Sequence, residues 1–509
     1  MKLLTPGSRG GALWRFALAA GIVVAFTATA VAVAGLLEFK QIAHDFNQTP
    51  AIKHARVVVP TPGNPQTILI LGSDHRAGEP NSAANTDTII LVRLDAASST
   101  INVMSVPRDL MVNIPLPNGL TETAKVNAAY SLGGPNLVVK TLQQNILPGL
   151  EVNHIVDINF AGFVDLVNAM GCVYTQVDRR YYNNGAITGY SSIDVEPGYQ
   201  KLCGTDALAY VRFRHTDNDL VRSARQQAFI RDAKDQYGQA NLIANRDKLL
   251  KIFGEHTRTD ANLHTIDGLI NLFKLVAFSA GHAIKQIPFP TTDIAYAVNK
   301  IDYVTADPIA VGDAFNKFMT PTLAPASPSA GATATTPTTA TTTTPTQAPT
   351  AGLIPDFAAG KLQAAALGNA GMPVYVPRLL AAGAEYCSGS LGNCPAQIST
   401  VGAYPRKYVL WTSQHHPTAA YQMTVVLNGT LGQYYDIQGT TWQHPPILAH
   451  PTEVRLVGGK HIYLFFEGAK LNVVAWHTPQ GVYWIANTLT HDLGKQQMIG
   501  LAASLTRVP

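Results

Sequence analysis

The chain has 509 residues, a formal net charge of +4 and only 14% charged side chains. Its lysines and arginines are scattered, which excludes the basic stripe that a nucleic-acid binder presents. The length suits two or three domains, and against so weakly charged a background any gathering of guanidinium groups needs a reason.

Lys2, Arg9 and Arg15 precede an apolar, uncharged stretch over 16–37, roughly the ~20 residues that a bilayer span needs. The positive-inside rule predicts a cytoplasmic N-terminus over 1–15, a transmembrane helix over 16–37 and an extracytoplasmic remainder, a single-pass protein of the cell membrane. Ala28-Thr-Ala30 and Ala32-Val-Ala34 also suit signal-peptidase cleavage, but the apolar run outlasts the usual signal core of ~7–15 residues. Residues 38–66 carry Pro50, Pro60, Pro62 and Pro65 and read as a stalk.

A folded domain is expected over 67–320. Thr67–Leu71, Thr88–Leu94 and Ile101–Val106 are short, β-branched apolar runs bounded by turn residues, hence buried strands. The connection over 95–100 is short enough for a hairpin. If the first two strands are antiparallel as well, Asp74, Asp87 and Arg108 fall at one end of the sheet. Further on, Leu208–Arg214 alternates as a strand would, with Tyr210, Arg212 and Arg214 on one face and Ala209, Val211 and Phe213 on the other. Asp217 or Asp219 can then cap a helix that sets Arg222 and Gln226 one turn apart. A second apolar helical pattern covers 266–276.

A planar fork of donors suits phosphate oxygens, and hard carboxylate oxygens are what Mg²⁺ takes when it also binds phosphate. Arginines beside Asp74 and Asp87 therefore point to a diphosphate substrate. An Arg–Asp network that only ties secondary structure together is the plainer alternative.

Cys172 and Cys203 form one candidate disulfide, Cys387 and Cys394 another, as suits an exported chain; buried free thiols are the alternative. Residues 321–352 are almost wholly Ala, Thr, Pro and Ser, without charge, and read as a disordered linker. The spacer predicts that the regions on either side act independently. Over 353–509, runs such as His461–Phe466, Leu471–Trp476 and Val482–Ile485 alternate as strands, with a hairpin at Glu467–Lys470 and a closing helix that carries Met498, Leu501 and Leu505. Tyr434, Tyr435 and Trp442 are either core or sugar-stacking aromatics. The expected fold is thus α/β, a mixed, largely antiparallel central sheet flanked by helices, followed by a second, β-rich α+β domain.

Leu71-Gly-Ser-Asp-His-Arg76, Thr86-Asp-Thr-Ile89, Ser105-Val-Pro-Arg-Asp109, Lys125-Val-Asn-Ala-Ala-Tyr130, Asn159-Phe-Ala-Gly-Phe163 and Ala207–Arg214 through Gln227 together resemble the LytR-CpsA-Psr domain. That family attaches glycopolymers to bacterial peptidoglycan. The resemblance implies a polyprenyl-pyrophosphate-linked glycan as donor, with its lipid chain in an apolar pocket, and peptidoglycan as acceptor. It further implies Mg²⁺, with Mn²⁺ as the alternative ion, on Asp74 and Asp87, with Asp219 nearby. Headgroup contacts are implied from Arg108, Arg212, Arg214, Arg222 and Gln226. Where relatives often carry Arg two residues before the second metal aspartate, this chain has Asn85, which can bond a phosphate oxygen but brings no charge. Asp109 is either a base for the acceptor hydroxyl or part of a structural turn.

Three functions compete on this reading. The first is a phosphotransferase. The second is a hydrolase or binding module for the same lipid diphosphate. The third is a transcriptional regulator, which a site beyond a membrane span and the lack of a helix-turn-helix pattern both oppose.

Overall fold

A computed structural model describes residues 51–508 except 62–63, 74–85, 96–97, 99, 189–191, 214–218, 280–283, 299–300, 321–349, 389–393 and 395–403. The membrane span and the linker expected from the sequence fall outside the described residues. Among the described residues no helix is long and apolar enough to cross a membrane.

The N-terminal part is built on β1 (Gln66–Ser73), β2 (Thr86–Asp95), β3 (Thr100–Ser105), β4 (His154–Asn159), α1 (Phe160–Ala169), β5 (Val173–Val177), β6 (Gly198–Leu202), α2 (Gly204–Arg212), α3 (Asp219–Ala244), β7 (Thr257–Thr259) and β8 (Ile284–Gln286). Six of these strands form one sheet in the order β7-β4-β1-β2-β3-β8. The β1–β2, β2–β3 and β4–β7 pairs are antiparallel, while β1–β4 and β3–β8 are parallel. The sheet is therefore mixed, as expected.

Strand periodicity explains why these runs are apolar throughout. Leu69, Leu71, Ile89, Leu91 and Met104 point into a core that includes Val138 and Leu142. Their neighbours Ile68, Ile90, Val103 and Val156 pack on the other face with Leu272. A sheet covered on both sides needs apolar residues at both phases of the alternation. Leu272 belongs to the helix Ile266–Ser279, which covers the apolar pattern read at 266–276.

Two local expectations are corrected. The described part of the expected strand over 208–214 is not a strand: residues 204–212 are helix α2, and Ala207, Tyr210 and Val211 are among its buried positions. Their spacing of three and four is helical, and Ala, Leu and an acidic Asp206 in the first turn favour that conformation over the alternation read from the sequence. The expected stalk, in its described part, is also not free. Ile52 is 3% exposed, its amide donates to Thr259 O at 2.8 Å, and Val58 N donates to Val152 O at 2.8 Å.

The C-terminal part is an eight-stranded sheet, antiparallel throughout. The hairpin at Glu467–Lys470 is present, with Glu467 paired to Lys470 and Gly468 at φ 57°, the backbone conformation that glycine allows at little cost. Helix Lys495–Ser504 closes the core through Met498 and Leu501. Tyr434 and Tyr435 are buried, and Trp442 stands edge-on to Tyr174 with centroids 5.3 Å apart, so packing, the plainer reading, accounts for all three. Both expected disulfides, Cys172–Cys203 and Cys387–Cys394, are formed.

The two parts are not independent bodies. Gln422 donates through Nε2 to the carbonyls of Val177 (3.2 Å) and Asp178 (3.1 Å). Gln176 donates to Asp436 Oδ2 at 3.0 Å, and Tyr199 N donates to Gln438 Oε1 at 3.1 Å. Asp436 is fully buried there, and burial, followed by the nearby Asp178, pushes its carboxyl well above the usual range. Arg231 pairs with Glu467, whose Oε2 also lies 3.1 Å from His491 Nε2. Polar groups buried at this seam have lost water and hold their partners in exchange.

Candidate active site

The register of β1 and β2 is interrupted at their open end: Gly72 opposes Thr88, but Ser73 opposes Thr86. Asp87 is thus the additional residue of a β-bulge, a device that re-aims a side chain at the edge of pairing. The Thr86 hydroxyl secures the bulge by donating to Thr88 O at 2.8 Å and Gly72 O at 3.1 Å. Gly72 leaves room for this, since a Cβ on it would come within 3.0 Å of Thr88 Cβ.

Two guanidinium groups meet at the re-aimed carboxylate. Arg108 pairs with Asp87 Oδ1, and Arg212 Nη2 donates to Asp87 Oδ2 at 3.0 Å. Arg108 follows β3 in a turn that the backbone holds tightly: Leu110 N donates to Pro107 O, and Asn127 N donates to Arg108 O, both at 3.1 Å. Arg212 ends helix α2, with its guanidinium carbon 3.8 Å from the Phe160 ring centroid. Phe160 begins α1, whose start is capped by Asn159 accepting from Gly162 N at 2.8 Å. Arg108 Nε is buried with the Asp109 carboxylate at 3.6 Å, while Arg212 Nε is buried without a hydrogen-bond partner among the described residues. A buried donor of that kind is costly unless a ligand satisfies it.

Gln226 lies on α3 and donates to Val211 O at 3.1 Å and Thr88 Oγ1 at 3.3 Å. It joins α2 to the residue after Asp87. Arg222, one turn earlier on α3, is buried. Asp219 opens α3; its side chain, together with Asp74, Asn85 and Arg214, lies outside the described residues. The structure therefore brings together Asp87, Arg108, Arg212 and Gln226. Among the described residues no group of three His, Cys, Asp or Glu side chains could hold a metal ion. One aspartate at a diphosphate site still fits Mg²⁺, which takes one or two carboxylates and completes its shell with phosphate and water.

Asp109 adjoins this cluster, with its Oδ2 3.6 Å from Arg108 Nε. Its Oδ1 pairs with Lys125 Nζ at 2.9 Å, and its carbonyl accepts from Val304 N at 3.0 Å. Lys125, Phe160, Tyr130 and Asp157 were not assigned roles from the sequence, although three of them lie in the segments that carry the family resemblance. The Tyr130 hydroxyl donates to Asp157 Oδ2 at 2.6 Å, and Asp157 is also 3.8 Å from Arg258. Burial, then Asp157, holds the Tyr130 phenol well above its ordinary range, so it stays protonated as a donor. Asp157 opposes Leu71 in the β1–β4 ladder, which puts this network at the same end of the sheet.

Arg225 serves another purpose. It is 0% exposed, donates to Phe213 O and lies 4.7 Å from the Tyr181 ring. Arg179 approaches the same ring at 4.7 Å and also faces Phe213 and Tyr434. These arginines brace the end of α2 and, through Tyr434, connect it to the C-terminal part.

Residues 24–317 match the model of the LytR_cpsA_psr family. The chain is 32% identical over 211 residues to the polyisoprenyl-teichoic acid–peptidoglycan teichoic acid transferase TagU of Halalkalibacterium halodurans, covering 41% of this chain and 64% of that protein. It is 28% identical over 252 residues to TagV of Bacillus subtilis, a transferase of the same description, covering 49% of this chain and 63% of that protein. The match thus spans less than two thirds of these relatives' own length. Among solved structures, the crystal structure of B. subtilis TagV is similar at 25% identity with a TM-score of 0.43, over 51% of this chain and 97% of that one.

Proposed function

The chain belongs to the LytR_cpsA_psr family, and from that premise we propose that it is an extracytoplasmic phosphotransferase that moves a glycopolymer from a polyprenyl-diphosphate-linked donor to peptidoglycan. One observation carries this reading. Arg108 and Arg212 converge on Asp87, and Arg212 keeps a buried Nε donor without a hydrogen-bond partner among the described residues. That arrangement suits an anion with several oxygens.

In this reading the acceptor hydroxyl oxygen attacks the phosphorus that bears the glycan. The bond from that phosphorus to the bridging oxygen breaks, and polyprenyl phosphate leaves with the bonding electron pair. Phosphoryl transfer asks the protein mainly for position and charge neutralisation. Arg108 and Arg212 supply both, Phe160 and Gln226 fix where they stand, and the hydroxyl proton is released to solvent as the new bond forms. Asp87, with Asp74, would hold Mg²⁺, which when bound would neutralise charge on the diphosphate. Residues 16–37 would anchor the chain with this site outside the cytoplasm, where both disulfides are stable.

The test is product analysis with the purified full chain, a polyprenyl-diphosphate oligosaccharide and peptidoglycan. The expected product is glycan joined to peptidoglycan through a phosphodiester. Transfer should be lost on chelation and fall at least ~100-fold in Arg108→Ala, the cost of one preorganised charge. Release of free glycan phosphate at the same rate with or without acceptor would mean a hydrolase instead.

A further inference from the structure

A cleft of about 420 Å³ lies where the two parts meet. Ser105, Pro107 and Ser223 line one side of it; Lys470, Thr490 and His491 line the other. Pro107 is the residue before Arg108, so the cleft opens beside the anion site. On α3, residues 223 and 227 face the cleft, while Gln226 reaches Thr88 on the neighbouring face of the same helix. The distance between the Ser105 and Ser223 hydroxyls, 3.5 Å, marks where strand β3 and α3 close together at its floor.

The far wall is built to stay in place. Asn487 donates to Leu471 O (2.8 Å) and Leu493 O (2.9 Å) and accepts from Leu493 N (3.1 Å), which fixes the loop between. The acids on this wall are already engaged. Glu467 pairs with Arg231 and His491, and Asp492 accepts from the hydroxyls of Thr488 and Thr490. The surface that faces the space is mostly apolar, from residues such as Leu220, Pro288, Phe289 and Leu489, with Ser223, Thr291 and Lys470 set among them. Gln286 adds a buried Nε2 with no hydrogen-bond partner among the described residues. Apolar walls with a few fixed hydroxyl, amide and ammonium groups match a sugar ring, which presents C–H faces and hydroxyl edges, and the volume admits about one or two such rings.

We infer that this cleft holds the sugar of the acceptor glycan strand, so that the C-terminal part supplies half of the acceptor site. The inference rests on the transferase reading above. It differs from it in assigning the acceptor to a site that the N-terminal part cannot form alone.

The experiment uses the full chain and a lipid-free peptidoglycan glycan oligosaccharide, with binding followed by calorimetry and transfer followed separately. Ala469→Trp plugs the cleft from an exposed hairpin position, and Gln286→Ala removes the unpaired donor. Both should weaken oligosaccharide binding and raise the acceptor KM at least ~10-fold, with the donor KM within about twofold of the parent. Oligosaccharide binding and acceptor KM unchanged in both variants would overturn the inference, as would an increase confined to the donor KM, which would assign the cleft to the donor's glycan. If the parent binds the oligosaccharide in the cleft but neither transfers nor cleaves the donor, the transferase reading fails while the saccharide site stands.

Discussion

Arg212 holds its guanidinium carbon 3.8 Å from the centroid of the Phe160 ring, so the first residue of α1 orients the last residue of α2. An aromatic face under a cation contributes about 0.5–2 kcal/mol, and here it also fixes the direction of the donors. Phe160→Leu keeps the apolar volume but loses the ring face. Turnover is expected to fall about 2- to 30-fold, as that energy range implies, with an unchanged melting temperature. A loss seen only in stability would show that Phe160 is ordinary core.

The same cation–ring chemistry at Arg225 should read out as stability. This arginine is buried, bonded to Phe213 O and close to the Tyr181 ring. Arg225→Ala leaves that carbonyl and the ring contact without a partner, an expected cost of about 2–4 kcal/mol. Thermal unfolding of the full chain would measure it. The structure thus gives Arg225 a bracing role.

Asp109 offers a choice that a double-mutant cycle can decide. Its carboxylate is held by Lys125 at 2.9 Å. If the pair positions the Arg108 turn, Asp109→Asn and Lys125→Met should each reduce turnover by a similar factor. The double variant should then be no worse than the poorer single one. A catalytic base would instead make Asp109→Asn much the more damaging and would remove the acid limb of the pH profile.

Asp232 predicts a pH dependence of folding. Burial raises its carboxyl to about 6, against the partial opposition of Arg231 and the Thr175 hydroxyl. The folded state then binds its proton more tightly than the unfolded chain, whose carboxyl titrates near 3.8. Stability from this group is present below about 4, declines as pH rises towards about 6 and is flat above it. Asp232→Asn should remove that slope and be more stable than the parent at pH 7, as denaturant titrations across the interval would show.

Much of the site could be read from local pattern. The β-branched runs at 67–71, 88–94 and 101–106 have one stable arrangement as neighbouring strands, and a short connection forces the last two to be antiparallel. Those constraints alone bring Asp87 and Arg108 to one end of the sheet, where they form an ion pair. Cysteine pairing was legible for a similar reason, because few partners were available. Helix α2 was misread because Leu208–Arg214 satisfies a period of two while packing at a period near 3.6, and only its neighbours decide which periodicity is buried. The bulge that re-aims Asp87 and the Phe160 face beneath Arg212 depend on register and on contacts between separate elements, which no window of sequence contains. The docking of the two parts was hidden more deeply. Gln176, Gln422 and Asp436 each look like ordinary polar strand residues, and contacts that span up to 260 positions form only after both sheets exist. Local sequence determined which segments are strands and where the charges lie along them. Tertiary structure decided which of those charges face a ligand, because desolvation and partner geometry are properties of the assembled fold.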